Sequence, residues 1–246
     1  MVVKGILFAL LVSAIGCGAD QQKNSRNGPS SEGVLDPNLK ACIDETKADI
    51  AQLRYLNCEA KGIKSLAGLE NLADDVDSVA VPNNEIVDLG PLAKMPALKE
   101  LWIYGNKIVN IAPLGEIPSL THLSMFDNKV ADLAPLASTQ LTQLTADHNQ
   151  ITNLTPLARL TGMTNLELSN NPIADLSPLG SLVDLKFLYV NNAWVASGLA
   201  SLTSLKHPIE IQLRANDGTM LCSDFKILRD KHGSDVVERS PTGCKP

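Results

Sequence analysis

The sequence predicts an α/β solenoid: a right-handed superhelix of stacked strand-and-turn units with a parallel β-sheet on the concave face and a short 3₁₀ or extended convex side. A helix caps its N-terminus and a disulfide-closed segment caps its C-terminus. Three observations carry this prediction. One template recurs with starts 21 or 22 residues apart, an asparagine recurs at one place in it, and a proline recurs in its second half.

The template is plainest in LKELWIYGNKIVNIAPLGEIPS from Leu98, and it returns from Leu120, Leu141 and Met163. Further copies begin at Val76 and Leu185, and a diverged first copy begins at Leu53, which makes seven rungs. Apolar residues fall at offsets 0, 3, 5, 10, 13 and 16, as at Leu98, Leu101, Ile103, Ile108, Ile111 and Leu114. Alternation across offsets 3 to 5 is strand-like and turns offset 4 to the other face. No rung can bury its own leucines, so each must stack on its neighbours and both ends need caps.

Offset 8 is Asn84, Asn106, Asn128, Asn149 and Asn171 in the five central rungs. A short amide where a strand turns can satisfy backbone groups that have left the ladder, and stacked copies form an internal hydrogen-bonded series. Pro91, Pro113, Pro135, Pro156 and Pro178 each precede a leucine and forbid a long helix on the return side.

The ends read as caps. Asp36-Pro37 is a helix start, with Asp as N-cap and Pro in the first turn, and Leu39, Cys42, Ile43 and Ile50 follow at helical spacing. Cys58 stands at inward offset 5 of the first rung, so a bond to Cys42 would tie the cap helix to the solenoid. Cys222 and Cys244 bracket a second short helix that starts at Ser223 or Asp224 and stops at Gly233. Four cysteines allow three connectivities; sequence distance favours Cys42 with Cys58 and Cys222 with Cys244, with reduced thiols as the alternative.

These residues resemble the internalin-like class of leucine-rich repeats, whose 22-residue unit carries the same Leu, Asn, Ile and Pro-Leu positions, over about residues 37–246. Lys61 and Ala193 replace the ladder asparagine in the two terminal rungs, where irregular repeats are expected. The resemblance implies a binding protein that takes a protein partner on its concave face.

The first residues, MVVKGILFALLVSAIGCGAD, hold one cation at Lys4, an apolar run and small residues before Cys17. The run is too short to span a membrane and reads as an export signal. Ala14-Ile15-Gly16-Cys17 resembles the bacterial lipobox, with Ala14 where leucine is usual, which implies acylation of Cys17. Ordinary cleavage with a free or paired Cys17 is the alternative. The organisation is thus signal 1–16, flexible tether 17–36, cap helix 37–52, repeats 53–204 and C-terminal cap 205–246. The expectation is an exported monomer, lipid-anchored to a bacterial membrane, with the outer membrane or cell surface as the place.

A formal charge of −6 and a sequence pI near 5.2 argue against nucleic acid as the partner. Phosphate loops, His-Glu-x-x-His, a serine elbow and CxxC are all absent from the sequence, so neither an enzyme nor a cofactor or metal site is expected. Asp127 and His148 share offset 7 in adjacent rungs, with Ser124 at offset 4, and read as polar residues on a solvated face. Offsets 2, 4 and 6 carry Tyr55, Trp102, Tyr104, Phe126, Phe187 and Tyr189, six of the nine aromatic residues in the chain. Glu100, His122 and Glu167 lie among them. Aromatics interspersed with polar groups on an exposed face predict recognition of a protein; glycan binding, a structural envelope role and a plain spacer are the alternatives.

Overall fold

The structure is a computed structural model that describes residues 35–46, 54–72, 76–206, 210–213 and 222–232. Helix α1 spans Pro37–Thr46. It is followed by eight three-residue strands: β1 Tyr55–Asn57, β2 Ser78–Ala80, β3 Glu100–Trp102, β4 His122–Ser124, β5 Gln143–Thr145, β6 Asn165–Glu167, β7 Phe187–Tyr189 and β8 Glu210–Gln212, with helix α2 at Cys222–His232 after them. All eight strands pair in sequential order as one parallel sheet. Strand β8 falls inside the stretch 205–246 assigned from sequence to the cap, so the sheet continues one rung beyond the seven legible repeats. Cys17, the signal, nearly all of the tether, the end of the predicted cap helix and the Cys222–Cys244 pairing lie outside the described residues.

Register follows the template. Leu56, Val79, Leu101, Leu123, Leu144, Leu166, Leu188 and Ile211 stand side by side across the sheet. None is more than 3% exposed, and each packs on the rung before and after it, the only apolar surface a flat rung can reach. The return side is made of 3₁₀ turns with proline in the first turn at Gly90–Lys94, Ala112–Glu116, Ala134–Ser138, Thr155–Arg159 and Ser177–Ser181. Each is introduced by an Asx turn: Asp88, Asn110, Asp132, Asn153 and Asp175 accept from the backbone N–H two residues on, at 2.8–3.0 Å. Ser138 and Ser181 then donate across to carbonyls of the preceding rung, at Gly115 and Ala158.

The asparagine series joins rungs as well as closing turns. Asn128 Nδ2 donates to Met125 O and Phe126 O in its own turn and to Ile103 O in the rung before, while its Oδ1 accepts from Ile108 N. Asn84, Asn106, Asn149 and Asn171 repeat the pattern. Just before each ladder position the chain passes through the left-handed region, at Ala60, Asn83, Gly105, Asp127, His148, Asn170 and Asn192, with φ between 53° and 64°. Most of these residue types tolerate that conformation, which turns the strand into the loop.

At the N-terminus, Asp36 accepts from the N–H groups of Asn38 and Leu39 through Oδ1 and from those of Lys64 and Ser65 through Oδ2. One carboxylate thus caps α1 and fastens it to the first rung. These N–H donors hold its pKa below the usual carboxylate range although burial opposes them. Cys42 of α1 and Cys58 are joined by a disulfide with Cα atoms 5.8 Å apart. In the seventh rung Gly198 replaces the proline device. Its φ is 92°, and a side chain there would meet the backbone of Leu176 and Ser177, so only glycine fits. Helix α2 packs on the 3₁₀ turn Leu199–Ser204 and buries Leu228 against the last rungs. Among the described residues no helix is long and apolar enough to cross a membrane.

Candidate functional site: the outward face of the sheet

Side chains at offsets 2, 4 and 6 leave the core because their neighbours at offsets 3 and 5 are held inside it. This places Tyr55, Trp102, Tyr104, Phe126, Phe187 and Tyr189 on one face. Tyr55 and Phe187 are 41% and 39% exposed and the other four are half-buried.

The rings gather in two contacts. Tyr55 meets Trp102 edge to face, centroids 6.0 Å apart and planes at 88°. They belong to β1 and β3; the strand between them carries only Ser78, Ala80 and Pro82 on this face, all buried, so the large rings close over small side chains. Tyr104 and Phe126 stack at 4.3 Å and 9°. Burial, and then nearby Glu59, raises the phenol pKa of both Tyr55 and Tyr104. Phe187 and Tyr189 stand apart on β7, three strands from β4, or roughly 14 Å at the usual strand spacing. The Tyr189 hydroxyl donates to Glu210 at 2.8 Å.

Between the aromatic ends lies a polar stretch. His122 Nδ1 is 2.9 Å from the Thr121 hydroxyl, and Glu100 accepts from Ser78 at 3.2 Å. Asp147 accepts from Ser169 N at 2.7 Å. Burial raises the Asp147 carboxyl above its usual range. Glu167, one rung on, is pushed up to about 7, first by burial and then by the charge of Asp147. His148, with Asp127 on the neighbouring rung, is turned instead toward Asn170, whose Nδ2 lies 3.0 Å from His148 Nε2. Among the described residues no group of three or more His, Cys, Asp or Glu side chains could hold a metal ion.

One aromatic residue escapes the sequence prediction. Trp194 is 65% exposed and lines an open cleft with Asn170, Asn171, Pro172 and Asn192. It stands at offset 9, beyond the strand, so the strand register that finds the other aromatics passes over it.

Eight short parallel strands, recurring 3₁₀ returns and a threaded asparagine series define a leucine-rich-repeat solenoid. No protein-family model matches the chain, and no curated protein matches it in sequence. Among solved structures it is similar to an internalin (inlF) from Listeria monocytogenes, at 27% identity and a TM-score of 0.68 over 76% of this chain. It spans 58% of that protein's length. An internalin C2 from Listeria monocytogenes is 26% identical with a TM-score of 0.57, over 72% of this chain and 93% of its own. A leucine-rich-repeat protein of Leptospira interrogans shares the fold at 21% identity and a TM-score of 0.52, over 67% of this chain and 46% of its own. The chain is a leucine-rich-repeat protein whose repeat and fold are similar to those of the internalins.

Proposed function

We propose that the chain is a non-enzymatic binding module of the bacterial cell envelope that holds a protein partner on the outward, concave face of its sheet. It is exported, carried on the outer membrane or cell surface by lipid at Cys17, and acts as a monomer. The observation that carries this reading is the pair of ring contacts, Tyr55 with Trp102 and Tyr104 with Phe126, on a face whose side chains the solenoid does not need. Large half-exposed rings over a rigid sheet are the anchors that protein interfaces favour. The test is capture from envelope extracts by the lipid-free chain, the parent beside Trp102→Ala and Phe126→Ala. A partner retained by the parent and lost by both variants supports the reading; equal retention by all three sinks it.

A second reading, glycan binding, is favoured by Trp194, an exposed indole beside the amides of Asn170 and Asn192. An aromatic face next to amide donors suits a sugar ring. Glycan-array binding that disappears in Trp194→Ala would support it.

A further inference from the structure

The outward face is sharply biased in charge. In the seven rungs from Leu53 to Ser204 offsets 2, 4 and 6 hold four carboxylates, Glu59, Glu100, Asp147 and Glu167, and no lysine or arginine; β8 adds Glu210, and the one cation in this register, Arg214, lies outside the described residues. Cations stand on the rims instead: Arg54 and Lys99 pair with Asp77 at 3.1 and 3.6 Å, and Lys107 with Glu85 at 2.9 Å. Among the described residues Glu59, Glu100, Asp147 and Glu167 form no ion pair. The solenoid does not require this, because the same positions hold neutral side chains in other rungs, as at Ser124, Gln143 and Thr145.

The charge is also placed. Tyr104, Phe126 and Asp147 occupy offset 6 of three successive rungs. Tyr104 and Phe126 stack along that row, and Asp147 follows on the next rung with its carboxylate bonded to Ser169 N. Glu167 follows one strand further. An aromatic face and two carboxylates within roughly 5–10 Å, two strand spacings, suit one side chain above others. A guanidinium is planar, stacks flat on a ring and binds a carboxylate through two parallel N–H groups, whereas an ammonium meets both only as a compact point charge. A cation seated here would relieve the repulsion between the two carboxylates, which an uncharged partner would not.

We infer that this face takes a basic protein segment, with an arginine seated between Phe126 and the Asp147–Glu167 pair and an apolar side chain on the Tyr55–Trp102 contact. This rests on the protein-binding reading above and adds the chemistry of the partner. The experiment selects a displayed library of random dodecapeptides on the full chain, then measures synthetic copies of the enriched peptides against the parent, Asp147→Asn/Glu167→Gln and Trp102→Ala. Enriched peptides should carry an excess of arginine. The double carboxamide variant, which keeps size and shape, should bind them about tenfold or more weakly, and replacing the peptide arginine by lysine should weaken binding to the parent. Enrichment without an excess of arginine, no enrichment, or unchanged affinity in the double variant overturns the inference. If affinity falls in Trp102→Ala but not in the double variant, the binding face stands and the arginine seat is wrong. If neither variant changes it, both readings fall.

Discussion

The Oδ1 of Asn128 accepts a 3.0 Å hydrogen bond from the backbone N–H of Ile108, a residue of the rung before. The same amide donates to Ile103 O, Met125 O and Phe126 O. Asn128→Leu strands one buried donor, Ile108 N, at about 1–3 kcal/mol, and takes one of two hydrogen bonds from each of Ile103 O, Met125 O and Phe126 O, which keep those from Asn106, Asn149 and Gly105 N. The variant is expected to melt well below the parent in urea or thermal unfolding. Coincident curves would mean that the asparagine series bears no load.

The Cys42–Cys58 bond closes a short loop between α1 and the first rung. Its loss should cost roughly 2–4 kcal/mol, which Cys42→Ser measures against the oxidised parent. Neither cysteine should be alkylated in the native, unreduced protein, and peptide mapping should recover a Cys222–Cys244 crosslink beside this one.

Acylation at Cys17 makes a separate prediction. Cys17→Ser should abolish incorporation of a fatty-acid probe and move the protein to the soluble fraction. Undiminished labelling in the variant would place the lipid elsewhere or remove it from the account.

Glu167 supplies a pH dependence. Its folded-state pKa is raised to about 7, so between the ordinary carboxylate range and 7 the folded chain keeps a proton that the unfolded chain has released. Stability from this group is therefore full at low pH and declines as pH rises through about 7. Register sets Thr145 and Tyr189 on either side of it, with Asp147 as the neighbouring charge. Glu167→Gln should stabilise the protein at about pH 8, and the gain should vanish near pH 4, where both states of the parent are protonated. A gain independent of pH would assign it to packing.

Folding and binding should separate on alternate residues of one strand. Leu101 is fully buried, and Leu101→Ala should cost roughly 2–5 kcal/mol of stability. Its neighbour Trp102 faces outward, so Trp102→Ala should leave the melt nearly unchanged yet weaken the partner complex by roughly 2 kcal/mol or more. Lys107→Ala on the rim should do little to either. A Trp102→Ala variant that binds as the parent does would move the binding surface off this part of the sheet.

The framework was legible because each rung repeats the same physical problem. Leucines at offsets 0, 3 and 5, Asn128 and its equivalents, and the prolines all stand in register in the sequence itself. Strand β8 was not legible, because no Pro-Leu follows Glu210–Gln212 in its stretch and Pro208 stands where the other rungs open on an apolar residue, although Asn216 falls at the ladder offset. The Asx turns at Asp88 and its equivalents leave no hydrophobic mark, and a search for apolar periodicity passes over them. The Tyr55–Trp102 contact skips a rung, and it depends on the small side chains of the strand between, which no single repeat reveals. The rise in the Glu167 pKa likewise arises only when a charge on one rung meets burial on the next.

The asparagine series also has a direction. Each amide oxygen serves the rung before it: Asn84 accepts from Lys61 N and Ile63 N in a rung that has no ladder asparagine of its own, and Asn171 accepts from Ile151 N in the same way. Where Ala193 breaks the series, Ile173 N turns instead to Asn171 O within its own rung, at 2.8 Å. An interior rung can therefore be deleted or duplicated whole, since whichever rung then precedes an asparagine offers it the same donors and acceptors. The two terminal rungs cannot be exchanged for interior ones on those terms. A lineage of such chains can lengthen or shorten by gene slippage in the middle while its ends stay fixed, and each added unit brings three fresh outward positions on which a new specificity can be built.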